Sequence, residues 1–313
     1  MKLKTAVIGV GHLGRWHAQK HKMVDGVQLL GVCDLNLEQA EKVAKELGVN
    51  AYNDPKALIA EKVDAVTIAA STPAHYELVK FFLNNKVHVL VEKPIASTSQ
   101  QAEELCNLAD KLGVKLQVGH VERFNPAFQS AREKVTKPLF IECHRLAPFK
   151  VRSAETDVVL DLMIHDLDVV LSLVRSEPTL VSAVGTPVLT KSLDIANARI
   201  EFANGAVANL TASRVSQSTQ RKFRVFQPDQ YVSMDFQAGE VSILTKTGEW
   251  TEGQIPLDHQ TLNLEKGDAL LEETRAFLNA VMNNEPVQVS GRDGLRALHL
   301  AEKIIGDATR RLP

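Results

Sequence analysis

The sequence predicts two domains: an α/β domain built on a doubly wound parallel sheet, then an α+β domain built on a mostly antiparallel sheet. Three observations predict it. Short apolar strand-like runs alternate with helical runs up to about residue 120, the pattern of strands joined by crossover helices. Beyond that point strand-like runs succeed one another with turn dipeptides between them, as in antiparallel hairpins. The length, 313 residues, suits two domains at roughly 150 residues each.

The strand-like runs of the first part are residues 5–9, 28–33, 65–69, 88–91 and 115–118. Helical stretches fall at 15–23, 37–47, 75–84 and 99–112. The last of these opens on Ser97, Thr98 and Ser99, a supply of N-cap hydroxyls, and stops before Gly113, as start and stop signals require. The boundary is set at residue 120, giving domains 1–120 and 121–313. The second part begins with one long helical stretch, 158–174, followed by strand-like runs at 196–202, 206–211, 223–226 and 241–244. Asn204-Gly205 and Ala238-Gly239 mark turns, and helices at 270–282 and 294–309 close the chain.

Hydrophobic residues make up 44% and charged residues 24%, a composition able to build a core, which excludes disorder and fibrous repeats. The formal charge of -2 supplies no broad basic field for nucleic acid. The apolar stretch after Met1 is too short for a signal peptide. No uncharged run reaches the ~18 residues that span a bilayer. Cys33, Cys106 and Cys143 are odd in number and far apart, without the spacing of a zinc site or disulfide framework. A cytoplasmic globular protein, with neither nucleic acid nor membrane as partner, is expected.

Gly9-Val10-Gly11-His12-Leu13-Gly14 matches G-x-G-x-x-G, after a strand and before a helix. Glycines permit the tight turn and let backbone approach a pyrophosphate, while the helix N-terminus offers free N–H groups. Asp34 ends the second strand 20 residues beyond Gly14, placed to accept hydrogen bonds from adenosine ribose hydroxyls and to repel a 2′-phosphate. Leu35-Asn36-Leu37 supplies no arginine to compensate, so NAD is expected rather than NADP. The alternative is a plain glycine turn with an N-capping aspartate.

Glu92-Lys93-Pro94 closes the fourth strand-like run. Ligands of open α/β sheets bind outside the carboxyl ends of strands, so an amine there can hydrogen-bond a substrate hydroxyl and exchange its proton. A solvated ion pair before a turn proline is the competing reading. On the 158–174 helix, at ~100° per residue, Asp157, Asp161, His165, Asp168 and Ser172 fall within about 80° of one another, on an otherwise apolar circumference. Asp161 can orient and support the His165 imidazole one turn away. Asp166 points off that stripe and calls for an ion-pair partner. Metal ligation is discounted because no third ligand stands at a convincing spacing.

These motifs occur in order with Thr72-Pro73-Ala74-His75 and with the tail Pro286-Val287-Gln288-Val289-Ser290-Gly291-Arg292-Asp293-Gly294-Leu295. Together they resemble the Gfo/Idh/MocA oxidoreductase family of sugar dehydrogenases. The resemblance implies an N-terminal Rossmann domain, a C-terminal domain with a large open sheet used for oligomerisation, and hence a homodimer or homotetramer. It implies Lys93 and His165 as catalytic pair, Asp161 as substrate ligand, and Glu92 near the nicotinamide ribose. Gly9, Gly11, His12, Leu13, Gly14, Asp34, Thr72, Pro73 and His75 complete the implied NAD site, and the Lys93–Pro94 bond is cis in relatives. A Gly-Gly common before the helix aspartate is replaced here by Ser153-Ala154-Glu155-Thr156, which bears on the substrate loop.

Val121-Glu122-Arg123-Phe124-Asn125-Pro126-Ala127 is similar to a segment of bacterial UDP-N-acetylglucosamine 3-dehydrogenases, implying oxidation of the 3-hydroxyl of a UDP-N-acetylhexosamine. Arg123 and Asn125 then bind the nucleotide sugar, Arg123 through a hydroxyl-rich or anionic part. The alternative is a structural crossover with Arg123 salt-bridged and Phe124 in the core. Competing functions are an inositol, polyol or free-sugar dehydrogenase and a non-catalytic NAD-binding regulator. Retention of both Lys93 and His165 argues against the regulator.

Overall fold

The computed structural model describes residues 2–151, 156–310 and 312. Residues 153–155 of the departure noted above lie outside the described residues. The first elements are β1 (Leu3–Ile8), α1 (His12–Lys22), β2 (Val27–Cys33), α2 (Leu37–Leu47), β3 (Asn50–Tyr52), α3 (Lys56–Ala60), β4 (Ala65–Ile68), α4 (Thr72–Asn84), β5 (His88–Glu92), α5 (Ser99–Leu112) and β6 (Leu116–Gly119). All six strands pair in parallel, in the order β3-β2-β1-β4-β5-β6. The order reverses between β1 and β4, so a crevice opens beyond their carboxyl ends. Strands buried on both faces read as near-continuous apolar runs; every residue of β4 is buried, its one hydroxyl, Thr67, bonded to His21.

Local chemistry sets the helix ends. The Asn36 side chain accepts the Gln39 N–H at the start of α2, and Thr98 accepts the Gln101 N–H at the start of α5, the usual relief for unpaired first-turn amides. Gly113, at φ +65°, closes α5 in the left-handed conformation that glycine adopts without strain.

The later elements are a 3₁₀ turn (Val121–Phe124), α6 (Pro126–Ala131), β7 (Phe140–Leu146), a π turn (Val159–Met163) running into α7 (Ile164–Val174), β8 (Pro178–Thr186), β9 (Ile195–Phe202), β10 (Val207–Ser213), β11 (Gln220–Gln227), β12 (Gln230–Asp235), β13 (Glu240–Lys246), β14 (Leu257–Asn263), α8 (Ala269–Met282) and α9 (Gly291–Thr309). The second sheet has the order β14-β13-β12-β11-β7-β10-β9-β8, antiparallel except for the parallel pair β7–β10. Alternate residues such as Ile141, Cys143, Ala198, Ile200, Phe223 and Val225 are buried on one face, which α7 and the π turn cover. Pro228-Asp229, with Asp229 at φ +58°, makes a hairpin turn between β11 and β12 that the sequence reading passed over. In β14 every residue is exposed, so no alternation announces that strand.

By contacts, the chain groups into Met1–Val121 with Asp268–Leu298, and Glu122–Gly267 with His299–Pro313. The sequence boundary assigns all of 121–313 to one domain, whereas Asp268–Leu298 returns to the first unit. Phe277 and Leu278 of α8 complete a core with Val24, Ala65 and Leu90, and the Val118 N–H donates to Val289 O at 3.0 Å. Helical periodicity reveals that a face is buried, not what buries it. Cys33, Cys106 and Cys143 are buried free thiols. Among the described residues, no helix is long and apolar enough to cross a membrane.

Candidate active site

In the first unit the glycine loop joins β1 to α1, and each glycine answers a different steric demand. Gly9 sits at φ +77°, and a Cβ there would stand 2.6 Å from Ala70 N and Cα. A Cβ on Gly14 would stand 1.8 Å from Gly9 O, so helix and loop close together only without a side chain. A Cβ on Gly11 would meet nothing within 4 Å; there the missing side chain leaves open space. No side chain caps α1, its first turn holds no acid, and His12 and Leu13 are exposed. Unpaired helix amides beside an open, side-chain-free approach are what a pyrophosphate needs, so these residues fit a dinucleotide.

Asp34 follows β2. Its two carboxylate oxygens accept the Val10 N–H at 2.8 Å and the Asn36 N–H at 3.0 Å. A carboxylate has about four lone-pair sites, which leaves acceptor capacity for ribose hydroxyls. A cleft of about 410 Å³ is lined by Ile8, Gly9, Asp34, Asn53, Ala70 and Ser71, among others, at the crevice where strand order reverses. Thr72 and Pro73 form the first turn of α4, where a missing proline N–H costs nothing. His75 is buried, with Nδ1 2.8 Å from Pro94 O and Nε2 3.0 Å from Ala70 O. Burial holds its pKa below the usual histidine range, against the two carbonyl oxygens that face its ring nitrogens. Its geometry clasps the loops after β4 and β5 together.

Lys93 stands half-buried just beyond β5, and its bond to Pro94 is cis. Glu92 turns inward: Oε1 lies 2.8 Å from His17 Nε2, and Oε2 accepts the Lys93 N–H at 3.2 Å. Both oxygens are thus engaged by protein. His17 escaped the sequence reading, although two histidines four apart on α1, His17 and His21, share its buried side.

In the second unit the polar stripe divides. An i→i+5 turn winds more widely than an α-helix, so a 3.6-residue period applied from residue 157 onward misplaces its members. Asp157 caps the turn, accepting the Val159 N–H at 2.9 Å; burial raises its carboxyl pKa. Asp168 is buried, accepting from Arg123 Nε at 2.8 Å, and Ser172 donates to Val169 O. Asp161 and His165 stay half-buried, one on the π turn and one on α7. Asp166 has its ion-pair partner: Arg145 grips both carboxylate oxygens, at 2.9 and 2.7 Å, and reaches Glu122 at 2.9 Å.

The 121–125 segment is therefore a clamp on α7. Arg123 holds Asp168, Glu122 meets Arg145, and Phe124 is in the core, as the structural alternative has it. Asn125 Oδ1 accepts the Ala127 N–H to cap α6, and its Nδ2 donates to Glu122 and Phe236 O. Arg145 lies on β7, a strand the sequence reading passed over, on the same side as buried Ile141 and Cys143.

Residues 3–120 match the Gfo/Idh/MocA oxidoreductase family, NAD-binding Rossmann fold, and residues 132–229 match the Gfo/Idh/MocA C-terminal domain. The chain is 41% identical over 303 residues to UDP-N-acetylglucosamine 3-dehydrogenase of Acidithiobacillus ferrooxidans, covering 96% of each. A solved structure of that enzyme superposes with a TM-score of 0.93 at 40% identity, covering 99% of both chains. Myo-inositol 2-dehydrogenase of Thermotoga maritima is 28% identical, over 95% of this chain and 94% of that protein.

Proposed function

The chain belongs to the Gfo/Idh/MocA family of NAD-binding oxidoreductases, and on that premise we propose that it oxidises the 3-hydroxyl of a UDP-N-acetylhexosamine. The full-length similarity to the Acidithiobacillus enzyme carries this reading. Bound NAD supplies the hydride acceptor. The glycine loop and α1 hold the pyrophosphate, Asp34 the adenosine ribose, and Thr72, Pro73 and Glu92 border the cofactor. Lys93 hydrogen-bonds the reacting oxygen and stabilises developing alkoxide charge. His165 receives the hydroxyl proton as the positioned general base, and Asp161 orients the imidazole and binds neighbouring hydroxyls. Arg123 and Asn125 serve by shaping the segment that clamps α7.

Product analysis after incubation with NAD and UDP-N-acetylglucosamine, beside myo-inositol and glucose, tests the substrate. The similarity to an inositol dehydrogenase makes myo-inositol the second reading. NAD binding without reduction by any sugar would favour a regulator. His165→Ala and Lys93→Ala should each lower kcat by about 10²–10⁴-fold, the range for losing a positioned acid or base, with NAD affinity retained. Near-normal turnover in both removes the catalytic pair.

Three buried thiols suit a reducing cytoplasm. The outer face of the second sheet carries Phe140, Phe226 and Tyr231, with ring centroids 5.6 and 4.9 Å apart, and exposed Leu180, Val184 and Leu257. The aromatic group at the centre of that face supports a homodimer or homotetramer; light scattering showing only monomer at micromolar concentration would exclude it.

A further inference from the structure

Arg214, the residue after β10, is 1% exposed, the largest side chain so enclosed among the described residues. Its guanidinium, a rigid fork of five N–H donors, spans three partners within the second unit. Nε donates to Asp194 Oδ1 at 2.7 Å, one terminal nitrogen donates to Thr190 Oγ1 at 2.9 Å, and the other donates to the Thr156 carbonyl. Asp194 is itself fully buried. Its Oδ2 accepts the Val188, Leu189 and Thr190 N–H groups at 2.7, 2.6 and 2.8 Å, so the loop between β8 and β9 winds around the ion pair.

Filling a core does not call for this arrangement, since apolar residues of similar volume often serve as well as a buried ion pair. The third partner distinguishes it: the Thr156 carbonyl leads the chain into the π turn. The first amides of a helix lack partners inside it, and here they are met from outside and from the side chain before them. The Val158 N–H donates to Leu193 O at 3.0 Å, and the Val159 N–H to Asp157 Oδ1 at 2.9 Å. Leu193 adjoins Asp194, so the ion-paired loop and Arg214 together hold residues 156 and 158. Between them, Asp157 O accepts the Asp161 N–H at 2.9 Å. What fixes the first residues of a helix fixes its rotation, for a slip of one residue turns each side chain by ~100°. Asp161 is four residues beyond Asp157, and His165 four beyond Asp161.

We propose that Arg214 and Asp194 are positioning residues for the sugar site: their ion pair sets the start of the π turn and, through it, the direction in which Asp161 and His165 point. The inference rests on the roles proposed for those two residues. The charge pair and the tether are separable, because a lysine ammonium is a compact point charge without the planar fork. It can pair with Asp194 but cannot also hold the Thr156 carbonyl and the Thr190 hydroxyl in their present places.

Arg214→Lys is therefore the informative variant. It should bind NAD with a Kd within about twofold of wild type, since distant sites act independently and the glycine loop and Asp34 belong to the first unit. With UDP-N-acetylglucosamine, kcat/KM should fall by about 10–100-fold, the cost of misplacing a positioned group by about 1 Å. Val232→Ala, which opens a cavity at a fully buried position on β12, is the stability control: it should lower the melting temperature and leave kcat and KM in place. Wild-type kcat/KM in Arg214→Lys, or an equal loss in Val232→Ala, would overturn the proposal. Should Arg214→Lys not fold, Thr190→Val loosens the same fork more gently, and a wild-type kcat/KM there overturns it equally. A crystal structure of the folded variant reads the geometry without substrate. Asp161 and His165 should be displaced by about 1 Å from their wild-type places; if they are not, the proposal fails. If wild-type protein oxidises no sugar, the functional reading fails while that structure still decides the tether.

Discussion

Two alanine substitutions in one loop should separate cofactor binding from folding. At Gly11 an added Cβ meets nothing within 4 Å, although the backbone, at φ -65° and ψ -149°, lies outside the ordinary α and β regions. Gly11→Ala should therefore cost only backbone strain of about 1 kcal/mol, a melting decrease of roughly 2–4 °C. The added methyl occupies the approach to the pyrophosphate, so NAD affinity should fall by about 100-fold or more. At Gly14 the same atom would lie 1.8 Å from Gly9 O, more than an ångström inside contact distance, and backbone cannot rotate away. Shifting α1 off β1 should cost about 2–4 kcal/mol, a melting decrease of roughly 5–15 °C at ~2–4 °C per kcal/mol. Calorimetric titration with NAD and thermal melts with and without the cofactor measure both quantities. At 100 times its Kd, NAD should stabilise wild type by about 2.7 kcal/mol and Gly11→Ala hardly at all. A Gly11→Ala protein that binds NAD normally, or a Gly14→Ala protein that melts like wild type, would refute the steric reasoning.

Asp34→Ala should relax discrimination between NAD and NADP, because it removes both the ribose acceptor and the charge repelling a 2′-phosphate; the ratio of the two kcat/KM values measures it. Arg145→Met leaves Asp166 and Glu122 buried without their shared cation and should destabilise by about 3–5 kcal/mol in urea unfolding. His21 has a folded pKa of about 3 against an ordinary 6.5. The unfolded chain therefore binds its proton first, and stability held above about pH 6.5 is lost as pH falls toward 3, by on the order of 5 kcal/mol. Denaturant titrations from pH 7 to 4 should show a shallower decline in His21→Gln than in wild type, and equal slopes would refute it.

The glycine loop and the acid after the second strand could be placed from residues alone because their geometry is local. Gly9, Gly11, Gly14 and Asp34 lie on one strand–turn–helix–strand unit whose backbone geometry follows from glycine's missing side chain and a strand's end. The position of Lys93 just beyond a parallel strand was legible for the same reason. What only the tertiary structure decided depends on partners distant in sequence. Glu92 turns inward because His17, 75 residues earlier, meets it. Arg123 and Asn125 clamp and cap because Asp168 and Phe236 O come within hydrogen-bond reach. Helical period reported the apolar circumference of α7 but not the π turn before it, since the amino-acid pattern tolerates one extra residue per turn. Likewise, α8 carries an apolar face of its own, but the cavity it fills belongs to a core assembled more than 180 residues earlier in the chain. A side chain's periodicity sets which way it faces; only the packed fold sets what it meets.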